Sequence, residues 1–432
     1  MPRTKSEAKN NRVINGLVLI SEAFRKADIE EENVLEACYT IDFVHYFDQI
    51  KDWRNQDMVK YKLQNLLLMA LLVILSRGIN SFYGIATYVR LDKEKYEKYG
   101  LIEDGMCPSH DTFRRVFELL DSKAIFEQTI DRLYDFLSLL EKELLGQTTH
   151  KQIMVDGKEV RGSGRSLNSN NPKRNVQILN IYDSSLQTCI HSEAIDEKTN
   201  EIPVAQAYLK QMSLKNVVVT ADALHCQKET AKVVAQKRGI YVLTVKENQP
   251  SLLQEIHTRI DKNPKKVITV IRGKRVFELY HLPKNYATDG FIGMKTFVRM
   301  KSSAHSKRKA DMRCFISNSA DEELILEAIE NRWDIENGFH KEKDLFLGED
   351  RFRSTYRNTV LNLAVLNNLA LQLVKIYQAI SSITFYEAKV YMQLHPIEGL
   401  QKIAAVVDNT EVIDQVRSEL KKIKKLETVF SE

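Results

Sequence analysis

Two aspartates in this sequence stand where metal-dependent chemistry is usually built. Asp156 follows the apolar run Ile153-Met154-Val155, and Asp222 follows the β-branched run from Asn216 to Thr220 and then Ala221. Both runs read as buried strands. That places each carboxylate at a C-terminal strand end, where ligands of α/β sheets gather. Two such groups on neighbouring strands repel each other unless a cation lies between them. Mg2+ suits that position, because it takes oxygen ligands and keeps waters and substrate phosphates in its shell. A third carboxylate is expected from a helix facing the sheet edge, and the segment Asn331 to Lys343 supplies Glu336. At about 100° per residue, Arg332, Glu336, Phe339 and Lys343 fall at about 0°, 40°, −20° and 20°, which is one stripe. A solvated row of i,i+4 and i,i+7 ion pairs would look the same. The flanking Trp333, Ile335 and Phe339 favour a packed helix with a charged window, fit for a metal ion or a phosphate backbone.

The elements that must carry these groups divide the chain. Residues 1–145 read as helical, with Ile85, Tyr88 and Val89 on one apolar stripe and Phe113, Val116, Phe117 and Leu120 on another. Ser109 is placed to cap a helix that has Asp111 in its first turn and Arg114 and Arg115 outward. That face is either solvated or able to lie on DNA. From about residue 150 the pattern becomes β-rich. Strands are expected at 153–155, 176–182, 189–195, 216–220 and 241–245, with a helix over 227–238. A hairpin over 267–280, turned at Gly273-Lys274, suggests an inserted β-rich subdomain at about 250–312. Met312 to Ile316 then rejoins the sheet. A long apolar helix, Thr359 to Tyr377, should be core, and residues 381–432 form a helical tail. The fold class is α/β, a mixed sheet with flanking helices in a catalytic domain spanning 146–380.

Composition limits the alternatives. With 432 residues and 43% hydrophobic content the chain can build a substantial core. Its net charge of +5 makes no general case for nucleic acid. Locally, the run from Lys151 to Arg174 has six cations against Asp156 and Glu159, a net +4 that could grip phosphates or simply be solvated. The five cysteines are scattered, with no Cys-x-x-Cys pair, which argues against a zinc cage. The apolar run Leu66 to Leu75 is about half the length of a membrane span. The charged N-terminal segment does not read as a signal peptide. No membrane association is expected, and the expected compartment is the cytoplasm.

Taken in order, several strings resemble the DDE transposases of bacterial insertion sequences, in particular the H-repeat-associated branch. They are Cys107-Pro-Ser-His-Asp-Thr-Phe-Arg-Arg-Val-Phe, Val155-Asp156-Gly-Lys-Glu-Val-Arg161-Gly-Ser163, Ala221-Asp222-Ala-Leu-His-Cys-Gln227-Lys, Tyr241-Val-Leu-Thr-Val-Lys246-Glu-Asn248-Gln249 and Arg332-Trp-Asp-Ile-Glu336-Asn followed by Glu349-Asp350-Arg351. The resemblance covers most of the chain. It implies an RNase H-like catalytic core with a β-rich insertion, preceded by an associated helical domain. It implies Asp156, Asp222 and Glu336 as the ligands of two Mg2+ ions, for which Mn2+ should substitute. Arg332 and Lys343 fall at the basic positions of a tyrosine-arginine-glutamate-lysine signature that contacts DNA phosphates, while the tyrosine position falls on Ile329. Arg161, Lys246 and Asn248 are further candidates for DNA contact; Asn248-Gln249-Pro250 also reads as a plain turn.

The implied partners are double-stranded DNA, as terminal inverted repeats and target, and further copies of the chain assembled on it. The implied reaction is cleavage at transposon ends and strand transfer into a target. Two other readings fit the same carboxylates: an RNase H-like nuclease that cuts without joining, and a catalytically degenerate relative that only binds DNA.

Overall fold

The computed structural model describes residues 12–27, 29, 47–79, 81–146, 149–164, 170, 173–195, 200–287, 289–302, 312–332 and 335–429. The strands are β1 Arg12–Val13, β2 Thr149–Val160, β3 Val176–Asp183, β4 Thr188–Ala194, β5 Val217–Ala221, β6 Ile240–Val245, β7 Val267–Arg272, β8 Arg275–His281, β9 Thr296–Ser302 and β10 Met312–Ser317. They form a ten-stranded mixed sheet in the order β4-β3-β2-β5-β6-β10-β9-β8-β7, with the short β1 joined to β2. Around it lie α1 Gly16–Lys26, α2 Leu63–Arg77, α3 Phe82–Leu91, α4 Lys93–Lys98, α5 His110–Leu119, α6 Ser122–Ile125, α7 Asp131–Glu141, α8 Glu201–Gln211, α9 Lys228–Gln236, α10 Pro250–Lys262, α11 Glu322–Asn331, α12 Lys341–Leu345, α13 Arg357–Ser381, α14 Phe385–Leu394, α15 Pro396–Val407 and α16 Thr410–Val429.

The centre of the sheet follows from the sequence. Val217 to Ala221 is buried throughout, as befits an inner strand covered on both faces. It pairs in parallel with β2 and with β6. β3 and β4 extend the sheet by antiparallel hairpins. The expected insert is not a separate body. β9, β8 and β7 continue the sheet from β10 by antiparallel pairing. The reason is packing: Phe277, Leu279, Val298 and Met300 share a buried cluster with Val218, Val242 and Phe315 of the central strands and with α11. A lone hairpin with such a face would be marginal in water. β9 escapes notice in the sequence because Arg299 breaks its apolar pattern. Buried, that arginine is paired with Glu278 at 2.6 Å and Asp261 at 2.8 Å.

On one face of the sheet, a single core unites α1, α2, α5 and α7 with Met154 and Tyr182 of the sheet, α13, and α15 and α16 of the tail. α13 is apolar and long enough to pass for a membrane span, yet it is buried along most of its length inside the protein. Its asparagines fasten it to its neighbours. Asn362 donates to the carbonyls of Phe117 and Leu120, each at 2.8 Å, and Asn368 donates to Ser192 Oγ at 2.7 Å. The expected cap of α5 is present, with Ser109 Oγ accepting from the Thr112 N–H at 3.2 Å. Arg114 on that helix is held by Asp111 and Glu118 of the same helix.

Candidate active site

The register of two parallel strands brings the aspartates together. Val155 of β2 lies opposite Ala221 of β5, the last pair of that ladder. One residue further along each chain, just past that last pair, come Asp156 and Asp222. Asp156 is not a strand end, as the sequence suggested. β2 runs on to Val160 against β3, with Asp156 opposite Asn180. What ends at this level is β5, so the β2 edge beside Asp156 opens where Asp222 leaves the sheet. Asp222 accepts a hydrogen bond from the Leu224 N–H at 3.0 Å and caps the 3-10 turn Ala223–His225. Both carboxylates are half-buried.

Beside Asp156 stands His340, with its Nδ1 3.6 Å from Oδ2. Its Nε2 is buried with no hydrogen-bond partner among the described residues. Burial, with the nearby Lys343 and Lys158 charges, lowers the imidazole pKa to about 3, so the ring is neutral at pH 7. Nothing in the sequence pattern marks this residue.

His340 closes the segment that carries Glu336. The single α-helix expected over 331–343 is replaced by α11 ending at Asn331, a π-wound stretch Ile335–His340, and α12. Residues 333 and 334, and the side chains of 335–337, lie outside the described residues, so Glu336 is located by its backbone alone. A π turn changes the angular step, yet Phe339 and Lys343 of the expected stripe still lie together, with the Lys343 ammonium 4.9 Å from the Phe339 ring. Phe339 is buried against Tyr182, with ring centroids 4.9 Å apart. Lys343 is only 1% exposed and pairs with Glu349 at 2.8 Å. Arg332 is half-buried at the end of α11.

The basic run from Lys151 to Arg174 is not one surface patch. Lys151 is turned inward, with its ammonium 3.0 Å from Asp183 and 3.6 Å from Glu141. Lys158 lies between Asp344 at 2.5 Å and Glu349 at 2.6 Å. Lys173 donates to the Thr355 carbonyl. Arg161 stands out at 81% exposed, in loose contact with Asp350 at 3.8 Å. Lys246 and Asn248 are exposed just past β6. The Asn248 amide donates to the Ala223 carbonyl at 2.5 Å, and Gln249 donates to the Cys226 carbonyl at 2.9 Å. This loop therefore braces the turn that follows Asp222. Cys226 is buried in the sheet core, which pushes its thiol up to about 12, so it packs and does not attack.

Sequence reasoning also missed Glu201, at the start of α8. Its carboxylate lies directly against Gly157, so a Cβ on that glycine would come within 2.4 Å of it. Glu201 also faces the buried His225 ring at 3.5 Å. The signal was faint: a glycine immediately after Asp156, where a side chain would have been expected.

Among the described residues no three His, Cys, Asp or Glu side chains are gathered closely enough to cage an ion. The two described carboxylates, on adjacent strands beside an open edge, have the oxygen chemistry that Mg2+ requires.

The chain belongs to the family described as the transposase DDE domain, which matches residues 147–373, and a DDE-transposase-associated domain matches residues 44–131. Its core is the mixed α/β sheet with flanking helices that the sequence led one to expect. Among its relatives is YhhI of Escherichia coli (strain K12), an H repeat-associated protein provisionally named a transposase. It is 26% identical over 322 residues, 70% of this chain and 82% of that one. YncI of Escherichia coli O157:H7, also provisionally named a transposase, is 25% identical over 76% of this chain and 86% of its own. An uncharacterised protein of Xanthobacter autotrophicus is 28% identical over 64% of this chain and 94% of its own. A piggyBac transposase solved as a synaptic complex with hairpin DNA covers 92% of this chain and 86% of its own. Its TM-score is 0.42 and its identity 13%, too distant to bear on this site.

Proposed function

We propose that the protein is a working transposase that cuts DNA at the ends of its mobile element and joins those ends to a target. The observation that carries this reading is the strand register that sets Asp156 and Asp222 side by side. Asp156, Asp222 and Glu336 would hold the Mg2+ ions, which supply an acidified water or 3′-hydroxyl and stabilise the leaving oxygen. The neutral His340 ring packs beside Asp156 at 3.6 Å, close enough to take up a hydrogen bond to that carboxylate on a small shift. The amide of Asn248 steadies the turn below Asp222. Arg161, Lys246 and Arg332 are the candidate phosphate contacts. No protein nucleophile takes part. The substrate is double-stranded DNA, bound by more than one copy of the chain at paired ends, in the cytoplasm where the chromosome lies.

The test is strand transfer by the purified protein, using precut ends from the inverted repeats that flank its gene. Mg2+-dependent joining, lost in Asp156→Asn and Asp222→Asn, is the expected result. Nicking without joining would mean a nuclease, and end binding with neither reaction would mean a degenerate relative.

A further inference from the structure

Three buried charged side chains, Lys158, Lys343 and Glu349, gather with the part-exposed Asp344 between β2 and the segment after Glu336, and have no part in the reading above. Lys158, two residues beyond Asp156, reaches Asp344 of α12 at 2.5 Å and Glu349 at 2.6 Å. Glu349, 3% exposed, also takes Lys343 at 2.8 Å on its other oxygen and faces the Asn367 amide of α13 at 3.4 Å. Further out, Arg161 of β2's end approaches Asp350. At the near end, His340 meets Asp156 itself. Asp156 and Lys158 on one face of β2, and Arg161 just past its end, thus each meet residues 340–350. The fastened segment begins with the π-wound stretch that holds Glu336, a winding that is rare and concentrates at functional positions. Burying several charges costs free energy that well-packed apolar residues would not, so stability alone is a poor explanation for this cluster.

We infer that Lys158, Glu349, Lys343 and Asp344 form a buried clasp that fixes the Glu336-bearing segment against the strand of Asp156. In that clasp Lys343 is a positioning residue and not a phosphate contact. The inference rests on the proposed roles of Asp156 and Glu336 as metal ligands. Lys158 is the member of the clasp on the strand side, and its removal is clean. In Lys158→Met, Glu349 keeps Lys343, and the part-exposed Asp344 can be hydrated.

The test uses the full-length protein and three measurements. Amide hydrogen exchange of residues 335–345 should speed up at least about tenfold in Lys158→Met while the rest of the sheet stays protected, and Lys158→Arg should largely restore it. Mn2+ affinity, measured by calorimetry, should fall about tenfold in Lys158→Met and recover in Lys158→Arg, as for other groups that orient ligands from outside. The salt dependence of DNA binding should be unchanged in Lys343→Met, with Arg161→Ala as the surface control. Unchanged exchange in Lys158→Met would overturn the clasp. A reduced salt slope in Lys343→Met would restore that lysine to the DNA. If the parent protein bound no Mn2+, the metal-site reading would fall, while exchange would still judge the clasp.

Discussion

Replacing Glu349 by glutamine tests whether the buried charges near β2 act through their ionised state. Burial raises the pKa of this carboxyl, but the Lys343 and Lys158 ammonium groups outweigh that and hold it at about 2, against an ordinary 4.5. A depressed carboxylate stabilises the fold above its unfolded pKa, and that stability is lost as pH falls through the folded value. The window is therefore pH 4.5 down to about 2, and a shift of this size corresponds to about 3 kcal/mol at neutral pH. Glu349→Gln should lower stability at pH 7 by about 3 kcal/mol or somewhat more, since it leaves Lys343 buried without its anion. The penalty should shrink steadily below pH 4.5, because the unfolded chain's Glu349 then takes up a proton that the folded carboxylate, ionised down to about pH 2, does not. Urea denaturation of both proteins at pH 7, 5, 4 and 3 reads this out as converging midpoints. A gap of constant size from pH 7 to pH 3 would refute the electrostatic reasoning and leave lost packing as the cause.

Three further outcomes are expected. Saturating Mg2+ at about 100 times its Kd should stabilise the parent protein by about 2.7 kcal/mol in calorimetry; Asp222→Asn should fold but lose most of that shift, and an equal shift would remove Asp222 from the ligand set. Asn362→Leu strips one hydrogen bond each from the carbonyls of Phe117 and Leu120, of which Leu120 keeps the Asn358 amide, and should cost about 1–3 kcal/mol in urea unfolding; no measurable loss would mean that packing and the Asn358 bonds hold α13 to α5 without Asn362. Arg161→Ala and Lys246→Ala should each weaken DNA binding and reduce its salt slope by about 1, measured by fluorescence anisotropy across an ionic-strength series, and an unchanged slope would remove that residue from the interface.

Much of this arrangement is written in local sequence. The runs before Asp156 and Asp222 are strands because β-branched residues fill a surface covered on both faces, and the hairpin at Gly273 turns where a positive φ of 56° is needed. The strand register was not legible, because pairing between residues 66 positions apart depends on everything that packs around them. The Glu336 segment misled for a different reason. A regular 100° step presumes an unbroken α-helix, and the π-wound turn breaks it. Lys343 looked like a surface cation because its partner, Glu349, lies beyond the reach of helix periodicity. Lys151 and Lys158 likewise seemed part of a basic patch, although each serves an internal carboxylate.

The shared core around α13 has a consequence for how this protein can change. Residues that match two different family descriptions bury their apolar faces against the same helix, and the tail does so too. Neither the leading helices nor the trailing ones could be lost, grafted onto another enzyme or expressed alone without leaving a long oily rod in water. Change in this protein must therefore proceed by substitution on a fixed frame, since exchange of whole modules would uncover that helix.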